Sequence, residues 1–187
     1  MTDVDDWRLA DQAARGDLNA FARLVRRYQQ PVISFSFRMT GSSAEAEDVA
    51  QETFIRLHRA LKRATPRAAF ATFVFHIARN AAMNYLRGRR RHERKLAAYA
   101  HEQETMPGAV SASSSAEAHE AAVLVESALA ALPLEYREAL VLRECQGLDY
   151  RQIAAILDIP VGTVRSRIAR GRERLRQHLL SSGGDVL

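Results

Sequence analysis

Apolar residues return every three or four positions along most of this chain, and that period more than anything else limits what it can fold into. After Asp17, a residue suited to cap a helix, Leu18, Phe21, Leu24, Val25, Tyr28, Val32 and Phe35 fall on one stripe. Val49, Phe54, Leu57 and Leu61 make a second, and Phe73, Ile77, Ala81 and Leu86 a third. Near the end, Val164, Ile168, Gly171, Leu175 and Leu179 repeat the pattern. No alternating stretch bounded by turn residues is long enough to compete, so the fold class is all-α. Punctuation supports the same division. Pro31 is expected to kink or interrupt the first long helix. Ser42 and Glu45 have the spacing of a capping box for the second, Pro66 breaks the chain before the third, and Gly147 offers a helix stop.

Between the third stripe and the last, the composition changes. "ETMPGAVSASSSAEAHEA" is rich in Ser and Ala, and no Lys or Arg occurs between Lys95 and Arg137. This reads as a flexible acidic linker over 96–120, joining two small helical domains at 1–95 and 121–187. The single cysteine, Cys145, excludes an intramolecular disulfide and a cysteine-based zinc site, which suits a reducing cytoplasm. The start, "MTDVDDW", is acidic and leads into no apolar core, so it is not expected to be a signal peptide, and membrane insertion is not expected either.

The net charge of +5 is unevenly spread. Residues 62–95 carry ten basic side chains against one acidic, and 161–187 carry six against two. The stretch 96–160 is the reverse, with three basic and ten acidic. Two separate basic blocks point to a polyanionic partner.

The second block lies in "GLDYRQIAAILDIPVGTVRSRIARGRERL", which has the proportions of a helix-turn-helix. Asp149 can cap a short helix with Gln152 reciprocating, "DIP" makes the turn, and Pro160 suits the start of a second helix. Arg165, Ser166, Ala169 and Arg170 project away from the buried stripe near the start of that helix. An Arg there can reach O6 and N7 of guanine in the major groove. Arg172, Arg174 and Arg176 follow where phosphate contacts are expected.

A DNA-binding unit alone does not account for "SSAEAEDVAQETFIRLHRAL", where Asp48, Gln51, Glu52 and Ile55 share the face opposite the apolar stripe. The spacing lacks the Glu-x-x-His pair of a di-metal helix bundle, so no metal and no cofactor are expected. With "FATFVFHIARNAAMNYLRGRRR" and "LPLEYREALVLRECQGLDYRQIAAILDIPVGTVRSRIARGRERL", this stretch resembles, in order and spacing, regions 2 and 4 of the extracytoplasmic-function sigma factors.

That resemblance implies a bacterial, cytoplasmic, non-enzymatic subunit, monomeric when free, that directs core RNA polymerase to promoters under an anti-sigma factor. Asp48, Gln51, Glu52 and Ile55 would dock on the clamp coiled coil of the largest polymerase subunit. Arg63, Phe73, His76, Asn80 and Asn84 would read the −10 element, the loop from Arg63 to Phe73 walling a base pocket, while Arg87, Arg89, Arg90 and Arg91 hold phosphates. Thr163, Arg165, Ser166, Ala169, Arg170, Arg172 and Arg174 would take the −35 element.

Two departures from the family pattern stand out. Phe73-Val74-Phe75-His76 replaces a common Trp-Leu-Tyr-Arg, removing an indole and a fixed positive charge, and Gly171 sits where Ala is common. From the residues alone two other classes stay open. One is a conventional helix-turn-helix regulator whose first domain senses a ligand or dimerises; the other is an enzyme using the carboxylates of 45–52, which no P-loop, HExxH or nucleophile motif supports.

Overall fold

Asp17 begins the first long helix as expected: its carboxylate accepts from the backbone N–H of Asn19 and Ala20 at 2.8 and 3.1 Å. The computed structural model describes residues 3–66, 68–99 and 116–182, and every regular element among them is helical. A short helix that the stripe reading did not include, α1 (Asp3–Ala14), precedes α2 (Leu18–Thr40). Pro31 does not interrupt α2. The helix runs on to Gly41, whose left-handed φ of 80° and N–H bond to the Phe37 carbonyl end it. Burial of Leu24, Tyr28, Val32 and Phe35 on both sides of the proline offsets its one missing hydrogen bond.

Helix α3 (Ser43–Leu61) starts with only half of the expected capping box. Ser42 accepts from the N–H of Glu45, but the Glu45 carboxylate is taken by Arg89 at 2.9 Å instead of returning to Ser42. Helix α4 (Phe70–Tyr99) continues past the boundary placed at residue 95. The centre of the linker segment, 100–115, lies outside the described residues.

The chain resumes with α5 (Ala116–Ala131) and α6 (Leu134–Leu140), which passes into a π-helical turn at Val141–Cys145. Asp149 then caps α7 (Tyr150–Leu157) with the full box: its carboxylate accepts from Arg151 and Gln152, and Gln152 accepts from the Asp149 N–H at 2.8 Å. Asp158, at a left-handed φ of 55°, turns the chain into α8 (Val161–Ser182). The helix-turn-helix is thus α7–α8. Gly171 lets α8 approach α6 closely, since a Cβ there would lie 3.4 Å from the Tyr136 carbonyl oxygen.

Helices α1 to α4 pack on one another, and α5, α6 and α7 pack on α8. The two groups do not stand apart. Helix α7 lies on α4, α5 and α6 lie on α2, and one contiguous core runs from Leu24, Phe35 and Val74 to Leu140, Ile153 and Ile168.

Candidate nucleic-acid and partner interfaces

On α3 the side chains of Asp48, Gln51 and Ile55 are exposed, while Glu52 is half-buried and held by Arg56 at 2.6 Å, one turn along. Beside them an open groove of about 820 Å³ runs between α2 and α3, lined by Leu18, Phe21, Val25, Phe54 and Ile55 among others. Its apolar lining corrects the stripe reading of α2. Leu18 is 71% exposed and Phe21 only half-buried, its ring edge-on to His58 at 4.8 Å. The acidic face therefore borders an uncovered apolar trough that the period of three and four placed inside.

The second face belongs to α4. His76, Asn84, Arg87, Arg90 and Arg91 are exposed, and Asn80 is half-buried with its amide nitrogen 3.5 Å from His76 Nε2. Arg87 donates to Asn84 at 3.2 Å, and these two line a second open groove with Arg90, Arg91 and Arg94. Arg89 faces elsewhere. It donates to the Thr40 carbonyl at the end of α2 and to both oxygens of Glu45, a cation placed where a helix C-terminus favours one. Arg63 is exposed at the end of α3, and Phe73 is half-buried beneath Trp7.

The third face is the N-terminal half of α8. Arg165, Ser166, Ala169 and Arg170 are exposed and Thr163 is half-buried. The Ser166 hydroxyl donates to the Thr163 carbonyl at 2.9 Å, which leaves its oxygen to present as an acceptor. Further along, Arg172 is held by Glu144 at 2.5 Å, a bond that pushes its guanidinium pKa upward, and Arg174 lies over the Tyr136 ring at 5.1 Å. Among the described residues no acidic side chain pairs with Arg90, Arg91, Arg165 or Arg170.

Between the second and third faces lies a polar seam that spacing did not reveal. Glu138 of α6, its side chain 4% exposed, accepts from Arg79 of α4 at 3.0 Å and from Arg167 of α8 at 3.4 Å. Next to it, Arg137 reaches across to the Met39 carbonyl near the end of α2 at 3.2 Å, and also donates to the carbonyls of Ala130 and Leu132. Burial, with the nearby Arg89 and Arg90 charges, pushes the Arg137 pKa downward. The bonds from Arg79 and Arg167 to Glu138 and from Arg137 to Met39 join residues 59, 29 and 98 positions apart.

Similarity to known proteins follows the same division. The sigma-70 region 2 family profile matches residues 24–92, and the sigma-70 region 4 profile matches 122–175. The RNA polymerase sigma-H factor of Pseudomonas aeruginosa is 38% identical over 186 residues, covering 96% of each chain. The ECF RNA polymerase sigma-E factor of Escherichia coli is 41% identical over 178 residues, covering 92% of this chain and 93% of that one. Among solved structures, CnrH in complex with the cytosolic domain of CnrY matches with a TM-score of 0.72 at 26% identity, over 95% of this chain and 98% of CnrH. The sigma factor RpoE of Bartonella quintana, solved with the anti-sigma factor NepR, shares the fold at a TM-score of 0.68 and 24% identity, over 85% of this chain and 96% of that one.

Proposed function

The chain belongs to the sigma-70 family, as an RNA polymerase sigma factor of the extracytoplasmic-function group, and from that premise we propose how its surfaces divide the work. Residues 1–95 and 121–187 act as two promoter grips joined by the 96–120 segment. Asp48, Gln51, Glu52 and Ile55 dock on the clamp coiled coil of the largest core polymerase subunit. Their carboxylates supply charge complementarity, and the trough beside them supplies apolar burial.

The face of α4 takes the opened −10 strand. Unstacking a base costs a few kcal/mol. The wall expected of a loop over 63–73 is a loop only to residue 69, because Phe70–Phe73 form the first turn of α4; that loop and turn, with the amide of Asn80, offset the cost by stacking and by hydrogen bonds to a base edge. Arg87, Arg90 and Arg91 follow the phosphates. At −35, α8 enters the major groove, Arg165 and Arg170 donating to base edges with Ser166 between them as an acceptor.

In the structure these grips are shut on each other through α4 and α7. A compact chain of this length has a radius of gyration of about 16 Å. The two elements lie about 25 base pairs apart by designation, roughly 85 Å at 3.4 Å per step. One closed molecule cannot reach both, so we infer that the shut form belongs to the free, monomeric protein in the cytoplasm and parts on the polymerase. CnrH is solved with the cytosolic domain of CnrY bound; a comparable polypeptide, an anti-sigma factor, is proposed to hold this chain inactive. The work requires no catalytic step, metal or cofactor.

The observation that carries this reading is the presence on one chain of two exposed basic helix faces, one in each half, with an acidic face on a third helix. In vitro transcription of genomic fragments with core polymerase tests it. Start sites that share −10 and −35 elements and need this protein are expected. Tight site-specific duplex binding by the protein alone, with no start sites in the presence of core enzyme, would overturn it.

A further inference from the structure

Asp6 and Trp7 are neighbours on α1 with different attachments. The Asp6 carboxylate, in a residue only 6% exposed, accepts from the Tyr28 hydroxyl at 2.7 Å and pairs with Arg27, which fixes α1 to α2. One residue on, about 100° around the helix, Trp7 meets the start of α4. Its indole Nε1–H donates to the Ala68 carbonyl at 2.9 Å, across 61 residues of sequence. Its ring stands edge-on to Phe70, the first residue of α4, with centroids 5.1 Å apart at 84°. It also lies tilted on Phe73 at 5.8 Å and 33°.

We propose that Trp7 is the positioning residue of the −10 reader: anchored through Asp6, it clasps the loop before α4 by the Ala68 carbonyl and sets the first turn of α4 by Phe70 and Phe73. The inference rests on the reading that the loop before α4, the first turn of α4 and Asn80 take the −10 strand. Phe73, His76 and Asn80 follow one another at three- and four-residue intervals along α4, so the turn that Trp7 seats is the base of the face that meets the strand. Trp7 touches no DNA in this scheme. Its indole does what loop residues cannot do for themselves, giving the Ala68 carbonyl a fixed donor and two aromatic rings a rigid wall.

The test uses holoenzyme reconstituted from core polymerase and the full chain, carrying wild type, Trp7→Phe, Trp7→Leu or Asn80→Ala. Open-complex formation is measured on promoters substituted one base at a time in the −10 element and, separately, in the −35 element. Trp7→Phe keeps a ring against Phe70 but loses the donor and part of the indole's surface. It should compress discrimination among −10 sequences by about three- to tenfold, with −35 preferences, core co-elution and far-UV circular dichroism unchanged. Trp7→Leu should compress it further. A merely structural role would lower opening on all promoters alike and leave the −10 ratios standing.

Unchanged −10 ratios in both Trp7 variants, with altered ratios in Asn80→Ala, would overturn the clasp and leave the base-reading assignment intact. Unchanged ratios in all three variants would overturn both. Altered −10 ratios in the Trp7 variants alone would sustain the clasp and remove Asn80 from the pocket.

Discussion

Replacing Arg79 by Met should loosen the two halves of this protein without unfolding either, because Glu138 keeps a second partner. The Glu138 side chain is 4% exposed and accepts from Arg79 on α4 and Arg167 on α8, each arginine side chain about a quarter exposed. Removing the sole partner of a buried charge costs about 3–5 kcal/mol. Here Arg167 remains at 3.4 Å to neutralise the carboxylate, and what is lost is one charge-assisted hydrogen bond at 3.0 Å. That bond contributes about 2 kcal/mol, or roughly 30-fold in the equilibrium between shut and parted halves. Met retains the apolar stem, which separates the charge from the packing. A urea double-mutant cycle of Arg79→Met with Glu138→Gln should give a coupling near 2 kcal/mol. Hydrogen exchange should quicken on the α4 and α7 surfaces, while the amides that pack α7 on α8 stay protected. A coupling below about 0.5 kcal/mol, or exchange that quickens equally within both halves, would refute the argument that this pair acts between them.

Three further outcomes follow from local geometry. Gly171→Ala should raise the melting temperature, since its Cβ would sit in ordinary contact 3.4 Å from the Tyr136 carbonyl oxygen while the helix gains up to about 1 kcal/mol; Gly171→Leu should lower it by overpacking against α6. Arg165→Ala and Arg170→Ala should each cost about 1–3 kcal/mol at one −35 base pair and relax preference there; an unchanged preference across a promoter panel would reject the helix register. Reversing Asp48 and Glu52 to Lys should abolish co-elution with core polymerase while circular dichroism stays unchanged, and normal co-elution would reject the docking face.

The all-α class, the helix-turn-helix and its caps were legible because each depends on residues within about four positions of one another. Asp149 and Gln152 form the box their spacing specifies, and Asp158 makes the turn. The same locality explains the misses. Glu45 stands at capping distance from Ser42, yet its carboxylate binds Arg89, 44 residues away. Leu18 fits the stripe of α2, yet the stripe is wider than the surface that α3 covers, and its excess lines a groove. Helix α1 left a trace at Asp6, Leu9, Ala10 and Ala13, all buried at helical spacing, but one of the four is a carboxylate and two are Ala. A pattern of that kind reads as weakly amphipathic until Tyr28 and Arg27 are known to meet the acid.

Charge counting located the two basic blocks but not which of their arginines the fold pairs with its own acids. In 62–95, Arg79 is spent on Glu138, and Arg89 on Glu45 and the end of α2. In 161–187, Arg167 and Arg172 are spent on Glu138 and Glu144. Each of these partners lies 28 or more residues away, so no window of sequence separates an arginine that staples the fold from one that faces solvent. Phe73 shows the converse. Its place in the motif suggests that an indole has been lost from the proposed −10 reader, yet the folded chain brings one beside Phe73 from α1, where Trp7 lies against it. The inventory of a site is therefore settled by which side chains the fold leaves unspent and which it imports, and both are properties of long-range packing.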